Sequence, residues 1–210
     1  GIQLDYTRSP GPSYCYCDHC RAQFEKDTGA KAEEWPAECV GKGKRAEEYA
    51  RWRQGLQTSL VKEISEEAHR MKPGVFISVA VPEAGSASGG QDWPEWVKQG
   101  GLDFICFTNF GVSTAQVARQ VREELGVVGG AIPVYSGLGA FLLKDSSELT
   151  DQIKAAREEG ADGFVGFAYD RGDLNRWLPA LGASVASSEP DPMPHWGPPM
   201  SLSPEKQAIA

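Results

Sequence analysis

The feature that most limits this chain is an alternation. Short β-type runs recur about every 30 residues with a helical pattern after each, the period of a (β/α) barrel or a doubly wound sheet. Val75 to Val81, Phe104 to Phe110, Ala131 to Ser136 and Gly163 to Tyr169 are rich in β-branched or aromatic residues and bounded by Gly, Pro or Asp. Ile2 to Thr7 reads as a fifth strand, with Ile2 and Leu4 on one face and Gln3 and Asp5 on the other.

The intervening segments carry helical periodicity. In Ala46 to Lys72 the apolar residues Trp52, Leu56, Leu60, Ile64, Ala68 and Met71 recur every three or four positions, predicting one buried face, and Pro73-Gly74 ends the run. Thr114 to Leu125 repeats the pattern and stops at Gly126; Ser146 to Glu159 stops at Gly160. Asp92 is the expected N-cap of a further helix, with Glu95 placed to complete a capping box. Asp173 is expected to cap a last one carrying Leu174, Trp177, Leu178 and Leu181.

Strands joined through helices must run parallel, each crossover right-handed. No G-x-G-x-x-G or Walker sequence follows any strand, so nucleotide-binding doubly wound folds lose support. The expected class is α/β, a (β/α)8 TIM barrel. Because a complete barrel takes about 250 residues, the five strands predict a partial barrel: residues 1–183 as its C-terminal part, with three N-terminal βα units lacking. Residues 184–210 hold Pro190, Pro192, Pro194, Pro198, Pro199 and Pro204 among Ser and Gly, a tail or linker composition. The chain also opens at Gly1 with neither Met nor a charged leader, as the interior of a longer protein does.

The balance of 21 basic and 29 acidic side chains in 210 residues gives a net charge of −8, which argues against nucleic acid or an anionic membrane surface as the main partner. No apolar run reaches the roughly 20 residues of a membrane-spanning helix.

Two groups of residues carry chemistry. Cys15, Cys17 and Cys20 form C-x-C-x-x-C in a loop after the first strand, and Cys39 lies in the same stretch. Thiols so close cannot readily all pair with one another, but they can converge on one structural zinc ion, with Cys39 as fourth ligand, His19 as second choice, or a cysteine outside the chain. A disulfide with spare thiols, or simply reduced cysteines, are the competing readings. Cys106, inside a strand, reads as a small buried hydrophobe.

The second group is carboxylate. Barrel active sites lie at the C-terminal ends of the strands. There Asp5 shares the face of Gln3 and is expected to point into the barrel mouth; otherwise it pairs with Arg8 or caps a turn. Glu83 follows the second strand, leading into a Gly/Ser-rich loop, and Asp170 follows the last, where it can equally cap the final helix. Asp103 precedes its strand and is expected to be structural. Asn109 and Tyr135 fall at expected strand ends, where each can contact a hydroxylated ligand or equally be ordinary core or rim. Two carboxylates across a barrel mouth are the minimum equipment for cleaving a glycosidic bond. Of the six tryptophans, Trp52 and Trp177 belong to the core by helical phase, and any on loops could stack on sugar rings.

Leu4-Asp5-Tyr6-Thr7-Arg8-Ser9-Pro10 resembles the L-D-Y-x-R-x-P element of glycoside-hydrolase-like family 10 and related TIM-barrel glycosidases, where it ends the fourth barrel strand. The likeness continues through Trp52-Arg53, Lys72-Pro73, Gln91-Asp92-Trp93-x-x-Trp96 and Leu102-Asp103-Phe104-Ile105. Cys15-Tyr16-Cys17-Asp18-His19-Cys20 is similar to the C-x-C-x-x-C of glycoside hydrolase family 42, which belongs there to a structural zinc site. The resemblance implies strands four to eight of the barrel, hydrolysis of a polysaccharide or glycoside, Asp5 as the catalytic position carried over most directly, Tyr6 and Arg8 beside the substrate, and a secreted or periplasmic setting. One departure matters: the double-glutamate arrangement of clan A has no counterpart, since the first strand here ends in Asp5 and Ile132 to Leu138 holds no carboxylate. A carbohydrate-binding or structural barrel without turnover is the alternative.

Overall fold

The computed structural model describes residues 1–11, 14–84, 90–169 and 174–185. Five strands form one parallel sheet in sequence order: β1 (Ile2–Leu4), β2 (Ile77–Pro82), β3 (Phe104–Asn109), β4 (Val134–Gly139) and β5 (Gly163–Phe167). The helices are α1 (Asp18–Thr28), α2 (Ala46–Met71), α3 (Trp93–Lys98), α4 (Thr114–Val128), α5 (Ser146–Glu159) and α6 (Leu174–Ser184). Every strand pair is parallel, so each crossover runs through helix. The sheet curls into a half-barrel: the expected partial (β/α) barrel.

Alternation along the strands separates two faces. Ile77, Val79, Val81, Ile105, Phe107 and Val134 pack with Trp93, Trp96 and Val97 of α3, while Leu138 packs with Val117 and Val121 of α4, Leu149 and Ile153 of α5, and Trp177 and Leu181 of α6. The opposite, concave face carries Gln3, Ser78, Ala80, Phe104, Cys106, Tyr135 and Gly137 in matching register. Cys106 is fully buried there, and burial pushes its thiol up to about 12. Aspartates before two strands tie neighbours together: Ile77 N donates to Asp103 Oδ2 at 2.7 Å and Val134 N to Asp162 Oδ2 at 2.8 Å. Asp103 is thus structural, as its position predicts.

Helix ends follow local chemistry. Asp145 Oδ1 accepts from Ser147 N at 2.9 Å and Glu148 N at 3.1 Å, capping α5. Gly129 and Gly160 close α4 and α5 with φ of 61° and 105°, which a side chain rarely tolerates. The stop of α4 is therefore Gly129, not Gly126, which continues the helix without strain. Asp92 does precede α3, but its side chain makes no capping bond, and Glu95 accepts from Gln99 Nε2 instead. The buried stripe of α2 also differs from the expected one. Tyr49, Val61 and Ser65 face inward, whereas Leu56, Leu60 and Met71 are exposed. Of the last helix, Trp177 and Leu181 are buried and Leu178 is exposed, and Asp173 lies outside the described residues.

Candidate functional site

The mouth of the half-barrel is built where β1 and β2 run out. Asp5 is the first residue past β1 and is exposed; its Oδ1 accepts from the Tyr6 backbone N–H at 2.7 Å. Tyr6 holds φ at 54°, a left-handed conformation costing a non-glycine residue about 1–2 kcal/mol, and backbone strain of this kind concentrates at ligand sites. Tyr6 is 74% exposed, and the Arg8 guanidinium lies 5.3 Å from its ring centroid. Asp5, Tyr6 and Arg8 thus form one exposed turn, with no pairing between Asp5 and Arg8 among the ion pairs of the described residues. Register puts Gln3 beside Ser78 on the concave face, and two residues on Asp5 continues that face. Its charge is felt by Cys106, also on the concave side.

Glu83 is the first residue past β2, half-buried, on the strand next to that of Asp5. Both carboxylates therefore leave adjacent strands at the same end of the sheet. Two further contacts hold this end together: Gln91 Nε2 donates to Thr7 Oγ1 at 3.1 Å, and Gln57 Nε2 to Ser9 Oγ at 3.3 Å. Asp170 lies outside the described residues.

Two expected ligand contacts sit elsewhere. Asn109 does end β3, but its side chain turns toward the helices, fully buried, donating to Glu124 Oε1 at 2.6 Å and accepting from Ser136 Oγ at 2.8 Å. Tyr135 is the second residue of β4, because that strand begins at Val134 rather than near Ala131, so it lies at the end of the strand away from the mouth. Its ring packs 4.9 Å from that of Phe104 and fills the space a Cβ on Gly163 would need. Among the tryptophans, Trp93, Trp96 and Trp177 are buried core, and Trp52 is half-buried with its Nε1 donating to Asp27 Oδ2 at 2.9 Å.

Glu124 had no sequence signal. It follows Glu123 on an amphipathic helix, where an acidic pair ordinarily marks the solvent side, yet it is fully buried. Burial pushes its carboxyl up to about 8, with Glu83 and Glu123 adding to the rise and the Asn109 amide and Ala84 N–H opposing it.

The thiols form a separate centre. Cys15, Cys17 and Cys20 bring their sulfurs within 4.8 Å of one another. Cys17 immediately precedes α1 and Cys20 lies in its first turn, a helix hidden in the sequence because Phe24 is its one buried residue. The Cys20 backbone N–H, then the Cys15 thiol, hold the Cys17 thiol below its ordinary range. Burial, then the neighbouring thiols, push Cys20 up to about 12. All five cysteines are free thiols. Zinc bonded to thiolates at about 2.3 Å separates tetrahedral sulfurs by about 3.8 Å, so the observed cluster fits such an ion. Neither Cys39 nor His19 belongs to the cluster: Cys39 is buried with Phe24 and Tyr49 in an aromatic packing group that includes Tyr16, Trp35 and Trp52. That group supports the thiol loop from behind. The Tyr49 hydroxyl donates to Cys15 O, Arg53 donates to Tyr14 O, and the Arg53 guanidinium lies 5.0 Å from the Tyr49 ring centroid.

Fold and mouth together define an α/β partial TIM barrel with two carboxylates just past the C-terminal ends of adjacent strands. The chain is similar in fold to the crystal structure of the catalytic domain of β-amylase from Paenibacillus polymyxa, with a TM-score of 0.53 and 13% sequence identity. The likeness covers 82% of this chain and 54% of that one, so the chain spans about half the length of the domain it matches. No family model matches the sequence. No curated protein matches it either.

Proposed function

We infer that this chain is part of a glycoside hydrolase acting on O-glycosidic bonds of a polysaccharide or glycoside. The observation that carries the reading is the placement of Asp5 and Glu83 just past the C-terminal ends of adjacent parallel strands, on a sheet whose fold is similar to a β-amylase catalytic domain. Asp5 is the principal catalytic candidate, as nucleophile or acid/base, with Glu83 or Asp170 as its partner. Tyr6 and Arg8 border the same turn, where an exposed ring and a cation suit a sugar face and its hydroxyls. By the same token residues 1–183 belong to a larger barrel and residues 184–210 lead into a tail, of which Ser184 still ends α6 and Val185 packs in the core. Exposed Leu56 and Leu60 on α2 and Ile2 on edge strand β1 are surfaces that further βα units would cover.

Zinc enters as a structural ion. Cys15, Cys17 and Cys20 would hold it, and it would supply a fixed cross-link of the loop that follows the catalytic turn. The partner is a carbohydrate, and no helix of the described residues is long and apolar enough to cross a membrane.

The test is a panel of α- and β-linked polysaccharides and glycosides incubated with the protein containing this chain. New reducing ends on at least one substrate are expected. Binding across the panel with no cleavage would replace the reading by a carbohydrate-binding barrel.

A further inference from the structure

Three successive carbonyls of the thiol loop are each taken by a side chain from elsewhere in the fold. Tyr14 O accepts from the Arg53 guanidinium, Cys15 O from the Tyr49 hydroxyl, and Tyr16 O from Trp35 Nε1 at 3.0 Å. Because a peptide unit is planar, fixing its oxygen fixes the whole plane. The planes on both sides of Cys15, and the one entering Cys17, are therefore set. The plane leaving Cys17 is set by α1, where the Arg21 N–H donates to Cys17 O at 3.0 Å, and Cys20 lies inside that helix. All three thiol-bearing residues are thus placed by bonds that involve no metal.

The donors are themselves held. Tyr49 and Arg53 stand one turn apart on α2, and Tyr49 has no exposed surface. The Tyr49 ring stacks on that of Tyr16 with centroids 5.2 Å apart, and meets Trp35 edge-on at 5.3 Å and Phe24 of α1 at 5.1 Å. The Arg53 guanidinium lies 5.0 Å from the Tyr49 centroid and 5.8 Å from that of Tyr16. One packed group therefore aligns the loop that carries Cys15 and Cys17 with the helix that carries Cys20. In a loop whose thiols are exposed, water would serve such carbonyls equally well. What the three donors add is a fixed shape.

We propose that Trp35, Tyr49 and Arg53 are positioning residues of the thiol centre, holding Cys15, Cys17 and Cys20 ready for a thiophilic divalent cation before any metal arrives. The proposal rests on the reading of these thiols as a metal centre. The chain folds first and binds the ion afterwards, unlike small zinc modules that are unfolded without metal. Ordering of the loop is then completed in folding, so it does not weaken metal binding.

The test uses the full chain, stripped of metal by a chelator under reducing conditions, and needs no substrate. Cobalt is added first, for its thiolate-to-metal absorption, and zinc is then titrated in competition with a chromophoric chelator. The wild type should show the same near-UV dichroism of its aromatic group with and without metal, and should take up cobalt with the thiolate band. Tyr49→Phe keeps the ring and removes the donor to Cys15 O; its zinc affinity should fall by about 10–100-fold. Arg53→Met should fall likewise, and Arg53→Lys, which keeps a donor and a cation, should recover part of the loss. Trp52 belongs to the same aromatic group, but its Nε1 donates to Asp27 and to no loop carbonyl. Trp52→Phe should therefore lower Tm while leaving zinc affinity essentially unchanged. If Tyr49→Phe fails to fold, the Arg53 pair decides. Aromatic dichroism that develops only with metal, wild-type affinity in Tyr49→Phe and Arg53→Met, or an equal loss in Trp52→Phe would overturn the proposal and leave the metal centre standing. A wild type that takes up neither metal would remove both.

Discussion

Asn109 Nδ2 donates a 2.6 Å hydrogen bond to Glu124 Oε1 where both side chains are fully buried. A polar residue at the end of a barrel strand is therefore spent inside the wall and not on a ligand. Asn109→Ala removes the Glu124 partner and the acceptor of Ser136 Oγ together, leaving two buried polar groups without their bonds. Stability should fall by about 1–3 kcal/mol, read by urea denaturation near neutral pH. Unchanged stability with weakened sugar binding would return Asn109 to the mouth.

The thiol cluster predicts a metal. Protein purified under reducing conditions should carry about one zinc per chain in elemental analysis. Cys17→Ser should lose most of it and unfold at lower temperature, because the loop between β1 and α1 loses its cross-link. A wild-type protein essentially free of zinc would remove the metal centre, and a Cys39→Ser variant retaining full zinc is expected, since Cys39 packs against aromatic rings away from the cluster.

Gly137 in β4 faces the concave side, where a Cβ would lie 2.9 Å from Phe107 O, 2.9 Å from a Phe167 ring carbon and 3.2 Å from Cys106 Sγ. Gly137→Ala should cost about 1–3 kcal/mol through overpacking. A variant as stable as the wild type in the same denaturation assay would show that β4 and β5 sit further apart.

That same glycine explains the largest departure from the sequence reading. Ser136-Gly137-Leu138-Gly139 carries the composition of a turn, which places the end of the strand at Ser136 and Tyr135 near the mouth. In the structure the glycines are strand residues, required because Phe107, Phe110 and Phe167 crowd the positions of their absent side chains. The strand moves by three residues, and Tyr135 moves to its opposite end. Apart from α1, the order of strands and helices was legible because apolar periodicity is a local property that tertiary contacts reinforce. Glu83 was legible as a residue just past its strand, since β2 ends at Pro82, one residue beyond the expected Val81; β1 ends at Leu4, three residues before the expected Thr7, which leaves Asp5 past the strand and not inside it. Glu124 was not legible, because its burial comes from tertiary contacts, among them Asn109 of β3, and nothing in the alternation around Glu123 encodes them. In α2, phase alone picked Leu56 and Leu60 as core, while the face that is buried holds Tyr49 and Ser65, polar atoms that a hydropathy stripe passes over.

The most direct test of the catalytic reading is the rate of reducing-sugar release by Asp5→Asn in the protein containing this chain, on whichever substrate the panel identifies. Asparagine keeps an oxygen that can accept from the Tyr6 N–H, so the turn and the melting temperature should survive while the acid chemistry does not. The loss in kcat should be at least about 100-fold with Tm nearly unchanged; activity within a few fold of the wild type would remove Asp5 from the chemistry.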